Sequence, residues 1–147
     1  MGENFLIRKV RKSDFERIQE IVYNCIDFVK EKKNLKDKLR EDYTLKNIEK
    51  AWRETEMFVI ESKNKIAGTG RLEKTHEIRM IYICPKYQLK GFGKTMIEKL
   101  EKLAKRKKFK IVYVKALFSA RNFYKKLGYN KVKDKDKSFC KMEKELE

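Results

Sequence analysis

One histidine, one proline and three cysteines in 147 residues leave several protein classes without their raw material. A structural zinc site takes four Cys or His ligands at close spacing. Here Cys25, Cys84 and Cys140 are scattered and His76 neighbours none of them, so no metal is expected. Three such cysteines make no disulfide framework either. The start, Met1-Gly2-Glu3-Asn4-Phe5, has neither the basic opening nor the apolar stretch of a secretory signal, and the expected compartment is the reducing cytoplasm. Leu6 stands where a myristoylation signal needs Ser or Thr. The longest apolar run, Met80 to Cys84, falls far short of the roughly 20 residues that cross a bilayer, which excludes a membrane-spanning protein. Linkers, repeats and low-complexity tracts are also missing, so one domain over residues 1–147 is expected.

Charge is what the chain has in abundance. Lys and Arg number 39 against 22 Asp and Glu, a formal net charge of +17. The 41% charged residues are matched by 41% hydrophobic ones, which describes a dense polar shell around a core and not a disordered chain. Residues 1–73 carry 17 basic and 14 acidic side chains, and residues 74–147 carry 22 and 8, so the excess sits in the second half at +14. An anion site is expected there. A Lys- and Glu-rich surface suited to high temperature accounts for the same composition without any ligand.

Periodicity supplies the elements. Phe5-Leu6-Ile7 and Val10 read as a first strand, and Ser13-Asp14-Phe15-Glu16 as a capping box that starts a helix. Phe15, Ile18, Ile21, Val22, Cys25, Ile26 and Val29 recur at helical spacing and form one apolar stripe. Asn34 to Tyr43 reads as polar loop or frayed helix, and Leu45 to Glu54 as a short helix through Ile48, Ala51 and Trp52. Met57 to Ile60, Ile66 to Gly68 and Ile78 to Cys84 read as an antiparallel meander stopped by Pro85. From Phe92 the period changes, with Met96, Ile97, Leu100, Leu103 and Ala104 marking a long helix that ends in Lys105-Arg106-Lys107-Lys108. A strand over Lys110 to Ala116 follows, then a short helix over Ser119 to Leu127 stopped by Gly128. Two last strands, Tyr129 to Val132 and Phe139 to Met142, flank a charged hairpin tip. The order predicts a mixed α+β fold.

The most specific stretch is Gln88-Leu89-Lys90-Gly91-Phe92-Gly93-Lys94, between a strand and the basic amphipathic helix. Alternate glycines permit a tight turn, and the free N–H groups of a helix start make an anion cradle, so a phosphate-bearing ligand is expected. Gly93-Lys94-Thr95 is no P-loop end, because Gln88 stands where its first Gly belongs, and Met96 replaces the third Gly of a dinucleotide fingerprint.

The stretch resembles the Gln/Arg-x-x-Gly-x-Gly/Ala signature of the GNAT family of N-acetyltransferases. The resemblance extends to Ile7–Ile18 as opening strand and helix, to Ile81-Tyr82-Ile83-Cys84-Pro85 as cofactor strand, and to Ala120 through Tyr129 as closing helix. It implies a three-layer α/β/α arrangement, a mostly antiparallel sheet flanked by helices and split between strands four and five. It further implies acetyl-coenzyme A as cosubstrate, with the backbone of Ile81, Tyr82 and Ile83 pairing with pantetheine and the N–H groups of Leu89, Lys90, Gly91, Phe92, Gly93 and Lys94 facing the pyrophosphate. Tyr124 matches the family's general acid. Glu77, fourteen residues before Gly91, stands where histone-acetylating members place a general base, with His76 or water as alternatives. A core tyrosine and an exposed strand-end glutamate are the competing structural readings of the two. Leu117 occupies the place of a cofactor-contacting Asn.

The resemblance therefore implies acetyl transfer to a primary amine, on a small molecule or on a protein N-terminus or lysine, by direct attack in a ternary complex. The alternatives are a basic nucleic-acid-binding domain, which needs neither Gly91 nor Gly93, and an inactive coenzyme A-binding regulator. Similar proteins often form homodimers, which leaves that assembly open.

Overall fold

The structure, a computed structural model, describes residues 4–147, so Met1-Gly2 lies outside it. The elements are β1 (Phe5–Lys9), α1 (Phe15–Phe28), α2 (Lys33–Asp42), α3 (Leu45–Glu54), β2 (Glu56–Ser62), β3 (Lys65–Leu72), β4 (Ile78–Ile83), α4 (Phe92–Arg106), β5 (Ile111–Ala116), α5 (Arg121–Lys126), β6 (Asn130–Lys131) and β7 (Cys140–Glu145). Strands β1-β2-β3-β4 form one antiparallel sheet and β5-β7-β6 a second. Helix α1 packs on β3 and β4 from one face and α4 on the same strands from the other, which makes three layers. Among the described residues, no helix is long and apolar enough to cross a membrane.

Two cores follow from this layering. Met96, Ile97, Leu100 and Ala104 of α4 are buried against Phe58, Ile60, Val112 and Val114, and Ile18, Ile21, Val22 and Ile26 of α1 against Met57, Val59 and Met80. Each such fully buried aliphatic side chain contributes about 1.5–3 kcal/mol relative to exposure.

Local chemistry explains where two readings of the sequence need correcting. The capping box of Ser13 and Glu16 does not form. A 3-10 turn, Lys12–Asp14, precedes α1 instead. Asp14 accepts the Arg11 N–H at 2.8 Å, while Arg8 from β1 grips both its carboxylate oxygens at 2.8 and 3.0 Å. That charged fork gives Asp14 an advantage no serine hydroxyl has. Burial pushes the Asp14 carboxyl up, but the hydrogen bonds from Arg8 and Arg11 hold it below its usual range. Residues 33–42, read as loop or frayed helix, form α2, docked by one buried residue, Leu39, and by Tyr23 donating to the Arg40 carbonyl at 3.1 Å. The boundaries read for α3 hold, with Thr44 accepting the Asn47 N–H at its cap.

Strand β4 carries a bulge. Thr69 pairs with Tyr82 and Arg71 with Arg79, so Gly70 faces two residues, Met80 and Ile81. Met80 takes a left-handed φ of 61°, and its carbonyl accepts the Thr69 hydroxyl at 2.7 Å. The extra residue resets the alternation of the strand. Ile78 and Ile81 both face α4, and Met80 and Tyr82 both face α1.

At Gly70, Met96 of α4 packs directly against the sheet beside this bulge. A Cβ there would lie 2.5 Å from Met96 Cγ and 3.0 Å from Ile81 Cδ1. Gly70→Val is expected to cost about 1–3 kcal/mol by overpacking, read as a lower midpoint in urea denaturation. An unchanged midpoint would mean that α4 yields without cost.

Candidate active site at the split between β4 and β5

Beyond the bulge, β4 and β5 part. Their link among the described residues is one parallel bridge, Glu77 to Tyr113, where the Tyr113 N–H donates to the His76 carbonyl at 3.2 Å. Alternate residues of a strand turn both backbone polar groups to the same neighbour. Tyr82 pairs with Thr69, and the Cys84 N–H donates to the Ala67 carbonyl at 2.7 Å, so Ile81 and Ile83 present their backbone groups to the split. The Ile83 carbonyl is already engaged, by the Cys25 thiol at 3.2 Å and the Gln88 amide at 3.0 Å. Two N–H groups, of Ile81 and Ile83, and the Ile81 carbonyl therefore remain to pair with a ligand laid along the strand.

A groove of about 550 Å³ runs from this edge to the start of α4. Its lining includes Ile81, Tyr82, Ile83, Leu89, Gly91, Phe92, Gly93 and Lys94, all singled out from the sequence. Lys90 is exposed and lies outside the lining. The Phe92 side chain is buried in the α4 core, so its part in the groove is its backbone. Gly91 caps α4 at φ 84°, a left-handed conformation that costs other residues about 1–2 kcal/mol. The first N–H groups of the helix have no carbonyl behind them within the helix. Leu117, which stands where the family places a cofactor-contacting Asn, lines the groove, and sequence reasoning missed Phe28 and Phe123 beside it. Their only signal, an apolar residue left exposed, requires the fold to be seen.

A second cavity, about 300 Å³, lies nearer the start of β4 and shares Ile81, Tyr82, Leu117 and Ala120 with the groove. Glu77 and Tyr124 both line it. Burial pushes the Glu77 carboxyl up, against the pull of Arg79 and Lys115. Burial likewise pushes the Tyr124 phenol up, so it keeps its proton. The Tyr124 ring is held edge-on between Phe123 and Tyr129, at 5.0 and 5.7 Å between centroids. Tyr129 is itself anchored by donating to the buried Glu101 carboxylate at 2.7 Å.

The structure does not bring His76 to this cavity. His76 belongs to the turn after β3, at a left-handed φ of 78°, and its ring stacks on Phe109 at 3.7 Å. The alternative of His76 as the general base is therefore not supported, because the turn carries its ring away from Glu77.

A buried carboxylate and a protonated phenol line one cavity, and that cavity joins a groove ending at a helix start. The family model of the acetyltransferase (GNAT) domain matches residues 24–146. The chain belongs to the GNAT acetyltransferase family. Solved GNAT structures share its fold at low identity. PaiA N-acetyltransferase from Thermoplasma acidophilum, in complex with coenzyme A, is 20% identical over 97% of this chain and 99% of its own, with a TM-score of 0.84. A GCN5-related N-acetyltransferase from Rhodopseudomonas palustris is 20% identical over 99% of both chains, with a TM-score of 0.89. YncA from Salmonella typhimurium, described as an acetyltransferase and solved with its cofactor acetyl-CoA, is 15% identical over 98% of this chain and 95% of its own, with a TM-score of 0.76. No curated protein matches the sequence.

Proposed function

We propose that this GNAT acetyltransferase binds acetyl-CoA in the groove and transfers the acetyl group to a primary amine held in the smaller cavity. The observation that carries this is the junction at Ile81 and Tyr82, where a cavity lined by Glu77 and Tyr124 meets a groove ending at Gly91. The groove suits the cosubstrate: free backbone groups of Ile81 and Ile83 pair with an extended amide-bearing arm, and the open N–H groups of α4 receive a pyrophosphate. The fold neighbours solved with coenzyme A and acetyl-CoA support the same assignment.

Acetyl-CoA supplies an acyl carbon activated by a thiolate leaving group. Glu77 takes a proton from the acceptor ammonium, directly or through water, freeing the lone pair that attacks. A backbone N–H of Ile81 or Ile83 stabilises the charge that develops on the carbonyl oxygen. Tyr124 returns a proton to the departing sulfur.

Calorimetric titration of acetyl-CoA tests the reading. Binding is expected for the native chain, and Gly91→Glu is expected to weaken it about tenfold or more, since the left-handed turn is strained and a carboxylate enters the anion cradle. A short DNA duplex run alongside at two salt concentrations separates the alternatives. Salt-sensitive duplex binding with no acetyl-CoA heat would overturn the proposal and make the charge the function. Acetyl-CoA binding without turnover of any amine would leave a coenzyme A-binding regulator.

A further inference from the structure

Against the wall of the smaller cavity stands an arrangement that acetyl transfer alone does not call for. The register of β3 and β4 sets Arg71 directly across from Arg79. Like charges directly opposed on neighbouring strands destabilise a sheet unless something offsets them. Two carboxylates stand beside them, but at a distance: Arg71 Nε lies 3.6 Å from Glu73 Oε2, Arg79 Nη1 3.7 Å from Glu73 Oε1, and Arg79 Nε 3.6 Å from Glu77 Oε2. An N–H to oxygen hydrogen bond closes to about 2.7–3.2 Å, so each arginine and its glutamate partners attract without a hydrogen bond. Arg71 Nε is buried with no hydrogen-bond partner among the described residues. Arg71 Nη1 reaches Met80 Sδ at 4.0 Å, and of the four groups only Glu77 and Arg79 line the cavity, with Arg71 and Glu73 behind them.

We propose that the acceptor is an α-amino acid, its amine facing Glu77 and its carboxylate taken by Arg79, with Arg71 behind adding charge. The inference rests on the acetyltransferase reading above. The 3.6 Å between Glu77 Oε2 and Arg79 Nε requires a substrate whose positive and negative groups are equally close, and in an α-amino acid they flank a single carbon. Charge counting agrees. Once Glu77 has taken a proton, Arg71 and Arg79 share only Glu73, and a substrate carboxylate restores neutrality. On the rim, Lys38 and Lys115 are balanced by Asp42 and Asp136, so the rim itself selects no sign. A polyamine would set a second cation against Arg79. The volume of about 300 Å³ lies at the small end of ligand sites and suits one amino acid better than a stretch of folded protein. Tyr43, Tyr82 and Phe139 leave apolar wall for its side chain.

The step balances. The ammonium loses one proton to Glu77, and the nitrogen lone pair forms the bond to the acetyl carbon. The carbon–sulfur bond breaks with its electron pair on sulfur, which takes the Tyr124 proton. The new amide nitrogen releases its extra proton, which restores Tyr124 through solvent, while Glu77 returns its proton to water. The products are the N-acetyl amino acid, coenzyme A and one net proton.

Thiol release from acetyl-CoA is measured with matched pairs, tyrosine and tyramine, histidine and histamine, lysine and cadaverine, with spermidine and a short peptide amide alongside. For at least one pair the native chain is expected to prefer the amino acid by about tenfold or more in kcat/KM. Arg79→Gln is expected to collapse that ratio through KM, and Arg79→Lys to restore part of it. Preference for the decarboxylated amine, spermidine or the peptide amide would overturn the inference and leave the acetyltransferase reading standing, as would a ratio unchanged in Arg79→Gln. Turnover of no acceptor at all would overturn both. The native ratio decides even where an arginine variant fails to fold.

Discussion

Glu77→Gln is expected to lower kcat/KM by about 10²–10⁴-fold, the usual worth of a positioned general base, while acetyl-CoA still binds in the groove. The amide keeps the volume of the side chain and removes its ability to accept a proton. The pH dependence identifies the role more sharply than the rate alone. Burial raises the Glu77 carboxyl above its ordinary value, and the group serves as a base only when deprotonated. Activity of the native chain should therefore be low below that raised pKa and climb as pH rises through it. The glutamine variant should lack this acidic limb. A limb that survived in the variant would assign the titration to another group and end the case for Glu77.

Tyr124→Phe is the second large effect, with kcat expected to fall by about 10²–10⁴-fold. The aromatic packing against Phe123 and Tyr129 needs only the ring, so the fold should persist. The variant lacks the proton for the leaving sulfur, a loss that matters less as the thiol becomes more acidic. An acyl donor with an aryl thiol should recover much of the rate, whereas a purely structural tyrosine would show no such rescue. A kcat unchanged across pH in the phenylalanine variant would remove Tyr124 from the chemistry.

Much of this was legible from local pattern. Helix α3 and the apolar stripe of α4 follow from spacing alone, because periodicity reports which face meets a core. The glycine turn was legible because backbone geometry restricts residue type at Gly91. Helix α2 was not, since a helix docked by little more than Leu39 leaves almost no apolar signature. Ser13 outranked Asp14 as a cap on local grounds, and only Arg8, arriving from β1, reverses the order. Within the candidate site, Glu77 and Tyr124 were reached through resemblance, and the cavity that joins them is a tertiary fact. The Arg71–Arg79 pair was beyond reach altogether, because it depends on a register that slips by one residue between Thr69 and Arg71.

That slip makes the strand behave like a sentence with a reading frame. Deletion of Met80 would close the bulge and leave every face as it is, but straightening the strand with Met80 in place would change the frame. Regular alternation with Met80 kept would put Tyr82, Met80 and Ile78 on one face and Ile81, Arg79 and Glu77 on the other, so every residue ahead of Met80 would change sides. Glu77 and Arg79 would turn toward α4, and Ile78 would turn toward α1. The chemistry assigned to this face thus hangs on the bulge, and what Met80 contributes most is its place in the count.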